Sequence, residues 1–284
     1  MKRELLTLAT IVLVVLQTAC TTISIEESNF LNPDQKVQVT KLRKIEQTAT
    51  TENITINGFD DVALSGTLIK VDNAQATVIY FGGNQFRVSV AGGKPAQHIL
   101  PMNVNILMVD HRGYGNSEGT PTIENLKRDA LSVYDYVATR TDLKSTPTIL
   151  HGHSLGSMIA GYVASERPAD ALVLEGSITN VKQMTSQRMP WFVKPFVEVN
   201  FSDELARVDN LKVVESFTAP LLIVTGEDDT QTPPALAETL YQHALSKQKQ
   251  LYIVKGKHHG NALTGDKLQL HYQRLVMQLN AKKS

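Results

Sequence analysis

The sequence predicts an α/β protein with one mostly parallel central sheet, helices on both faces and a small cap insertion. Three features predict it: short dense apolar runs, stretches of helical period between them, and an alternating pair of runs ahead of both. Residues 53–56 and 63–69 alternate apolar with polar side chains around Gly58-Phe59-Asp60-Asp61, the pattern of an antiparallel hairpin. Residues 76–81, 104–109, 148–150, 171–174, 221–224 and 251–254 are dense instead, as strands buried on both faces are. Ahead of the third dense run, Leu126, Ala130, Tyr134 and Val137 recur at three- to four-residue spacing behind a Thr122 cap and Glu124, which predicts a helix. Helices alternating with parallel strands cover a sheet on both faces, and ligands of such sheets collect at the carboxyl ends of the strands.

Composition removes several function classes. With 28 Lys+Arg against 28 Asp+Glu in 284 residues, no net field draws a phosphate backbone, so nucleic acid is not an expected partner. A single cysteine excludes an internal disulfide and a cysteine-based zinc cluster. There is no Walker A sequence and no H-E-x-x-H, and Gly113-Tyr114-Gly115-Asn116-Ser117-Glu118-Gly119 has the wrong glycine spacing for a dinucleotide site. No metal and no cofactor is expected.

Lys2 and Arg3 precede an apolar run over residues 5–16, which ends before Ala19 and Cys20, the layout of a secretory signal over residues 1–19. As a helix the run would be roughly 18 Å long, short of the ~30 Å hydrocarbon core of a bilayer. The position of Cys20 resembles the lipobox of bacterial lipoproteins. That resemblance implies lipidation of Cys20, export, and a membrane anchor in the bacterial cell envelope; Thr21 in place of Asp points to the outer membrane. An ordinary cleaved signal with an incidental cysteine is the alternative. Polar residues 20–51 read as a tether.

The chemistry starts where the third dense run enters His151-Gly152-His153-Ser154-Leu155-Gly156 and then a helical stretch. A serine on a tight strand-to-helix turn is pushed into an exposed position, with flanking glycines allowing close backbone approach. Ser154 is the expected nucleophile, and the Leu155 amide, at a helix N-terminus, an expected oxyanion donor. Four more segments follow strands: Tyr80-Phe81-Gly82-Gly83-Asn84, Asp110-His111-Arg112-Gly113-Tyr114-Gly115-Asn116-Ser117-Glu118-Gly119, Gly226-Glu227-Asp228-Asp229-Thr230-Gln231-Thr232-Pro233, and Lys255-Gly256-Lys257-His258-His259-Gly260-Asn261.

Together these segments resemble the α/β-hydrolase family, more narrowly its serine hydrolases of the Bem46 and ABHD13-like type, over residues 52–282. The hydrolase domain is then 52–284, with a cap at about 181–212. The resemblance implies that the Asn84 amide supplies the second oxyanion donor, although Gly82 stands where the family has a histidine. It implies a structural loop from Asp110, an acid at Asp229 with Asp228 as the competitor, and a base at His259 with His258 as the fallback. The order Ser154, Asp229, His259 is the one this fold uses. In the cap, Trp191 and Phe192, with Phe196, are expected to line an acyl pocket, the other readings being the cap's own core or a face resting on a membrane. The expected function is hydrolysis of ester, thioester or small amide bonds of small molecules through an acyl-enzyme, with peptidase activity not separated. The alternative is a non-catalytic envelope lipoprotein that binds or scaffolds.

Overall fold

The computed structural model describes residues 21–33 and 49–281; the expected signal and Cys20 lie outside these residues. In chain order the elements are β1 (Thr21–Ile25), α1 (Glu27–Phe30), β2 (Ala49–Asn57), β3 (Ala63–Val71), β4 (Thr77–Phe81), α2 (Val88–Ala91), α3 (Gly93–Ile99), β5 (Asn105–Val109), α4 (Ile123–Thr139), β6 (Thr148–His153) and α5 (Leu155–Glu166). They continue with β7 (Ala171–Glu175), α6 (Val181–Arg188), β8 (Val197–Phe201), α7 (Asp203–Ala206), α8 (Asn210–Ser216), β9 (Leu221–Gly226), α9 (Pro234–His243), β10 (Lys249–Val254) and α10 (Leu268–Asn280).

Eight strands form one sheet in the order β10-β9-β7-β6-β4-β5-β3-β2. The six dense runs supply its parallel strands, and β3 is antiparallel to both β2 and β5. Because side chains alternate across a strand, neighbouring residues serve two cores. Leu150 joins Leu172, Ile223 and the Leu126, Ala130 and Val137 face of α4. Ile149 points the other way, to Val173, Leu222 and the Tyr272, Leu275 and Val276 face of α10. Strands buried on both faces need apolar side chains at every position, which is why these runs do not alternate. Thr122 caps α4 as expected, its hydroxyl accepting from the Asn125 amide at 3.1 Å.

The tether reading of residues 20–51 is corrected at both of its described ends. Residues 49–51 already belong to β2, and β1 pairs in parallel with β8 of the cap in a separate two-stranded sheet, Thr21 opposite Val197. Behind β1, Leu31 is buried and the Glu27 carboxylate accepts from the Ile123 amide at the start of α4 at 3.1 Å. The β-branched alternation of Thr21-Thr22-Ile23-Ser24-Ile25 suits a strand, but its threonines and serine read as linker when no partner strand is visible.

Candidate active site

The β6–α5 turn is tight enough that Ser154 takes φ 54° and ψ −118°, a region that non-glycine residues seldom enter. Three contacts hold it there. The Ser154 amide donates to the Glu175 carbonyl at the end of β7, 2.9 Å away. The Ser157 hydroxyl donates to the Ser154 carbonyl at 2.6 Å. Gly156 lies so close to β4 that a Cβ there would run into the Phe81 carbonyl oxygen.

Asp229 and His259 arrive on the loops after β9 and β10. His259 Nδ1 lies 2.8 Å from Asp229 Oδ2, and its Nε2 lies 2.8 Å from Ser154 Oγ. The doubled residues separate by burial: Asp229 and His259 are buried, whereas Asp228 and His258 are exposed. His258 is turned away, its Nδ1 donating to the Asp228 carbonyl at 3.1 Å. Burial pushes the Asp229 carboxyl up. The hydrogen bonds from His259 and from the Thr232 amide and hydroxyl outweigh that, so it lies below the usual aspartate range. An ionised Asp229 accepts the Nδ1 proton, leaving the Nε2 lone pair to receive the proton of Ser154. The arrangement can therefore generate a serine nucleophile.

Asn84 and Leu155 line the same pocket as Ser154 and His259, a cavity of about 110 Å³. The Asn84 side chain works elsewhere. Its Nδ2 donates to the Phe30 carbonyl at 2.7 Å, and its Oδ1 accepts from the Tyr114 hydroxyl at 2.8 Å and the Asn32 amide at 3.1 Å. The backbone of this loop is braced too, since His111 Nε2 donates to the Gly82 carbonyl at 2.8 Å. Gly82 itself is required by packing, because a Cβ there would collide with the Phe86 ring. His111 and Tyr114 belong to the loop read as structural, and their effect is to steady the Asn84 segment. His153 has a supporting place as well: its Nε2 donates to the His259 carbonyl at 2.9 Å and fixes the loop that carries His259.

Trp191 and Phe192 do not line the pocket, which corrects the expectation for the cap. Trp191 is 82% exposed and Phe192 58% exposed. Apolar walls come instead from Phe30, Met158, Ile178 and Met184. The aromatic cluster stands on a loop around Pro190 and Pro195, beyond the helix that does face the pocket. Phe30, Met184 and Arg188 also border a second cavity of about 430 Å³ between the N-terminal segment and the cap. A third, of about 300 Å³, lies between α4, α5 and α8 and shares only Met158 with the Ser154 pocket.

Residues 73–202 match the family model described as serine aminopeptidase, S33. The chain is 25% identical over 229 residues to the α/β-hydrolase domain-containing protein WAV2 of Arabidopsis thaliana, covering 75% of this chain and 74% of that protein. It is 32% identical over 228 residues to the protein YfhR of Salmonella typhi, covering 74% of this chain and 75% of that one. The chain belongs to the α/β-hydrolase family. Among solved structures, the esterase Pf2001 of Pyrococcus furiosus matches this α/β-hydrolase with a TM-score of 0.68 at 19% identity, over 87% of this chain and 99% of that one. That likeness speaks for the fold, whose order of strand, turn and helix around Ser154 is the α/β-hydrolase arrangement.

Two outcomes follow from the strained turn and from the depressed carboxyl. Ser154→Gly removes the Cβ that disfavours this backbone, and is expected to gain about 1 kcal/mol of unfolding free energy in urea titrations; Ser154→Ala keeps the Cβ and should show no gain. For Asp229, a folded value below the unfolded one means that the unfolded chain takes up the proton first as pH falls. Its contribution to stability is complete above its ordinary value of 3.8 and is lost as pH drops through the lower folded value. Unfolding measured at stepped pH should therefore show a shallower acid loss below about pH 4 in Asp229→Asn than in the wild type.

Proposed function

We propose that this α/β-hydrolase, of the Bem46 and ABHD13-like type, is an esterase working through Ser154, His259 and Asp229. His259 takes the proton of Ser154 as its oxygen attacks the acyl carbon, and the amides of Asn84 and Leu155 hold the oxyanion. His259 then passes the proton to the departing alcohol. Water, deprotonated by the same histidine, attacks the acyl-enzyme and releases the acid. Asp229 holds the imidazole in the productive tautomer throughout.

The single observation that supports an ester over a peptide N-terminus is the charge of the pocket. Apart from the His259–Asp229 pair, the one ionisable side chain among its described lining residues is Arg188; the rest are neutral or apolar. An aminopeptidase must hold its substrate's ammonium group, and a cation at the pocket wall repels it. Neutral or anionic acyl groups suit the same wall. The Phe30, Met184 and Met158 surfaces bury the acyl carbons.

The proposal includes export and a lipid on Cys20, supported by the charged start, apolar run and Ala19-Cys20 junction of the sequence. Cells fed a labelled fatty acid should incorporate it into the wild-type chain and not into Cys20→Ser. For the chemistry, turnover of p-nitrophenyl acyl esters is compared with that of an aminoacyl anilide. Esters should be cleaved far faster, and Asp229→Asn should lower kcat by about 10⁴-fold. Faster cleavage of the anilide would replace the esterase reading by an aminopeptidase one.

A further inference from the structure

Three aromatic side chains of the cap have no place in the site described above. Trp191 is 82% exposed, Phe192 58% and Phe196 58%, and the Trp191 and Phe192 rings meet edge to face with centroids 6.0 Å apart. On β1, whose partner strand β8 directly follows Phe196, Ile23 is a further exposed apolar side chain at 44%. Clustered exposure of this kind marks an interaction site, because each aromatic ring left in water forfeits the gain of burying it.

Chain geometry and charge single out the occupant. Thr21 pairs with Val197, the residue after Phe196, so the chain from the apolar run 5–16 enters the fold beside this cluster. Cys20, the residue proposed to carry the lipid, directly precedes Thr21. An N-terminus held at a bilayer therefore holds the aromatic face at the same bilayer. Between residues 181 and 201 the exposed cations Lys182, Arg188 and Lys194 stand against one exposed acid, Glu198, and β1 carries no charge. Such a surface complements anionic headgroups, and Trp among aromatic neighbours suits the headgroup level of a membrane.

We propose that the cap loop around Trp191, Phe192 and Phe196, with β1 beside it, docks on an anionic lipid surface. The cavity of about 430 Å³ adjoins these segments in the chain: Ile25 of β1 and Met189, two residues before Trp191, line it together with Phe30, Met184, Phe201 and Leu205. That cavity meets the Ser154 pocket at Phe30, Met184 and Arg188. Resting on the esterase reading, the docking assigns the substrate class: an acyl ester drawn from the bilayer, its chain entering through the cavity with Arg188 at the junction.

Trp191 is the only tryptophan of the chain, so its fluorescence reports this face alone. The full-length protein is reconstituted in phosphatidylcholine vesicles with and without phosphatidylglycerol, each with or without lipids brominated on the acyl chain. The expected result is a blue-shifted emission that brominated lipid quenches, more strongly when phosphatidylglycerol is present. Phe196→Ser leaves the reporter in place and should reduce the quenching while turnover of a short, water-soluble ester stays unchanged. Emission that brominated lipid leaves untouched and aqueous iodide quenches would overturn the docking. Concentration-dependent shielding of Trp191 without lipid would overturn it in favour of self-association. The fluorescence readout does not depend on Ser154, so failure of the esterase reading and failure of the docking are seen separately.

Discussion

Everything at this site depends on holding Ser154 in a backbone conformation it would not choose. Positive φ at a residue with a Cβ costs of order 1–3 kcal/mol, and the cost is offset by the parallel sheet on either side. From β7 the Glu175 carbonyl receives the Ser154 amide, from α5 the Ser157 hydroxyl reaches back to the Ser154 carbonyl, and β4 leaves room only for hydrogen at Gly156. A flexible loop could not impose this. The strain aims Ser154 Oγ at His259 before any substrate arrives, so little reorganisation remains for the reaction itself.

The N-terminal segment extends that preorganisation to the other side of the pocket. Asn84 lines the pocket, and its side chain clasps the Phe30 carbonyl and the Asn32 amide. Phe30 forms part of the pocket wall, and Glu27 caps α4. A stretch that looks like a connection therefore ties cap, Asn84 loop and pocket wall together. The chain that leads to the apolar N-terminal run is the same chain that shapes the pocket.

Much of this was legible in the sequence because its physics is local. Dense apolar runs mean two-sided burial, and each of the six is a parallel strand; Gly152 and Gly156 around Ser154 mean a turn without room for Cβ. Motif register distinguished Asp229 from Asp228 and His259 from His258, and burial separates them in the same way. What escaped depends on partners distant in sequence. Strand β1 exists through β8, 176 residues away, and its own Thr-Thr-Ile-Ser-Ile pattern is compatible with a linker. The braces from His111, Tyr114 and His153 arise where separate loops meet, and no spacing rule encodes them. Trp191 and Phe192 misled because hydrophobicity alone does not say whether a ring faces inward or outward, and on a short proline-flanked loop it faces outward.

The central claim is that Ser154 is an activated nucleophile. The most direct measurement treats the protein with a fluorophosphonate and locates the adduct by mass spectrometry, with Ser154→Ala and His259→Ala beside the wild type. The account predicts one phosphonate per chain, on Ser154, absent from the Ser154→Ala variant and strongly slowed without His259. A correctly folded wild type that takes up no label, or one labelled at a different residue, would contradict it.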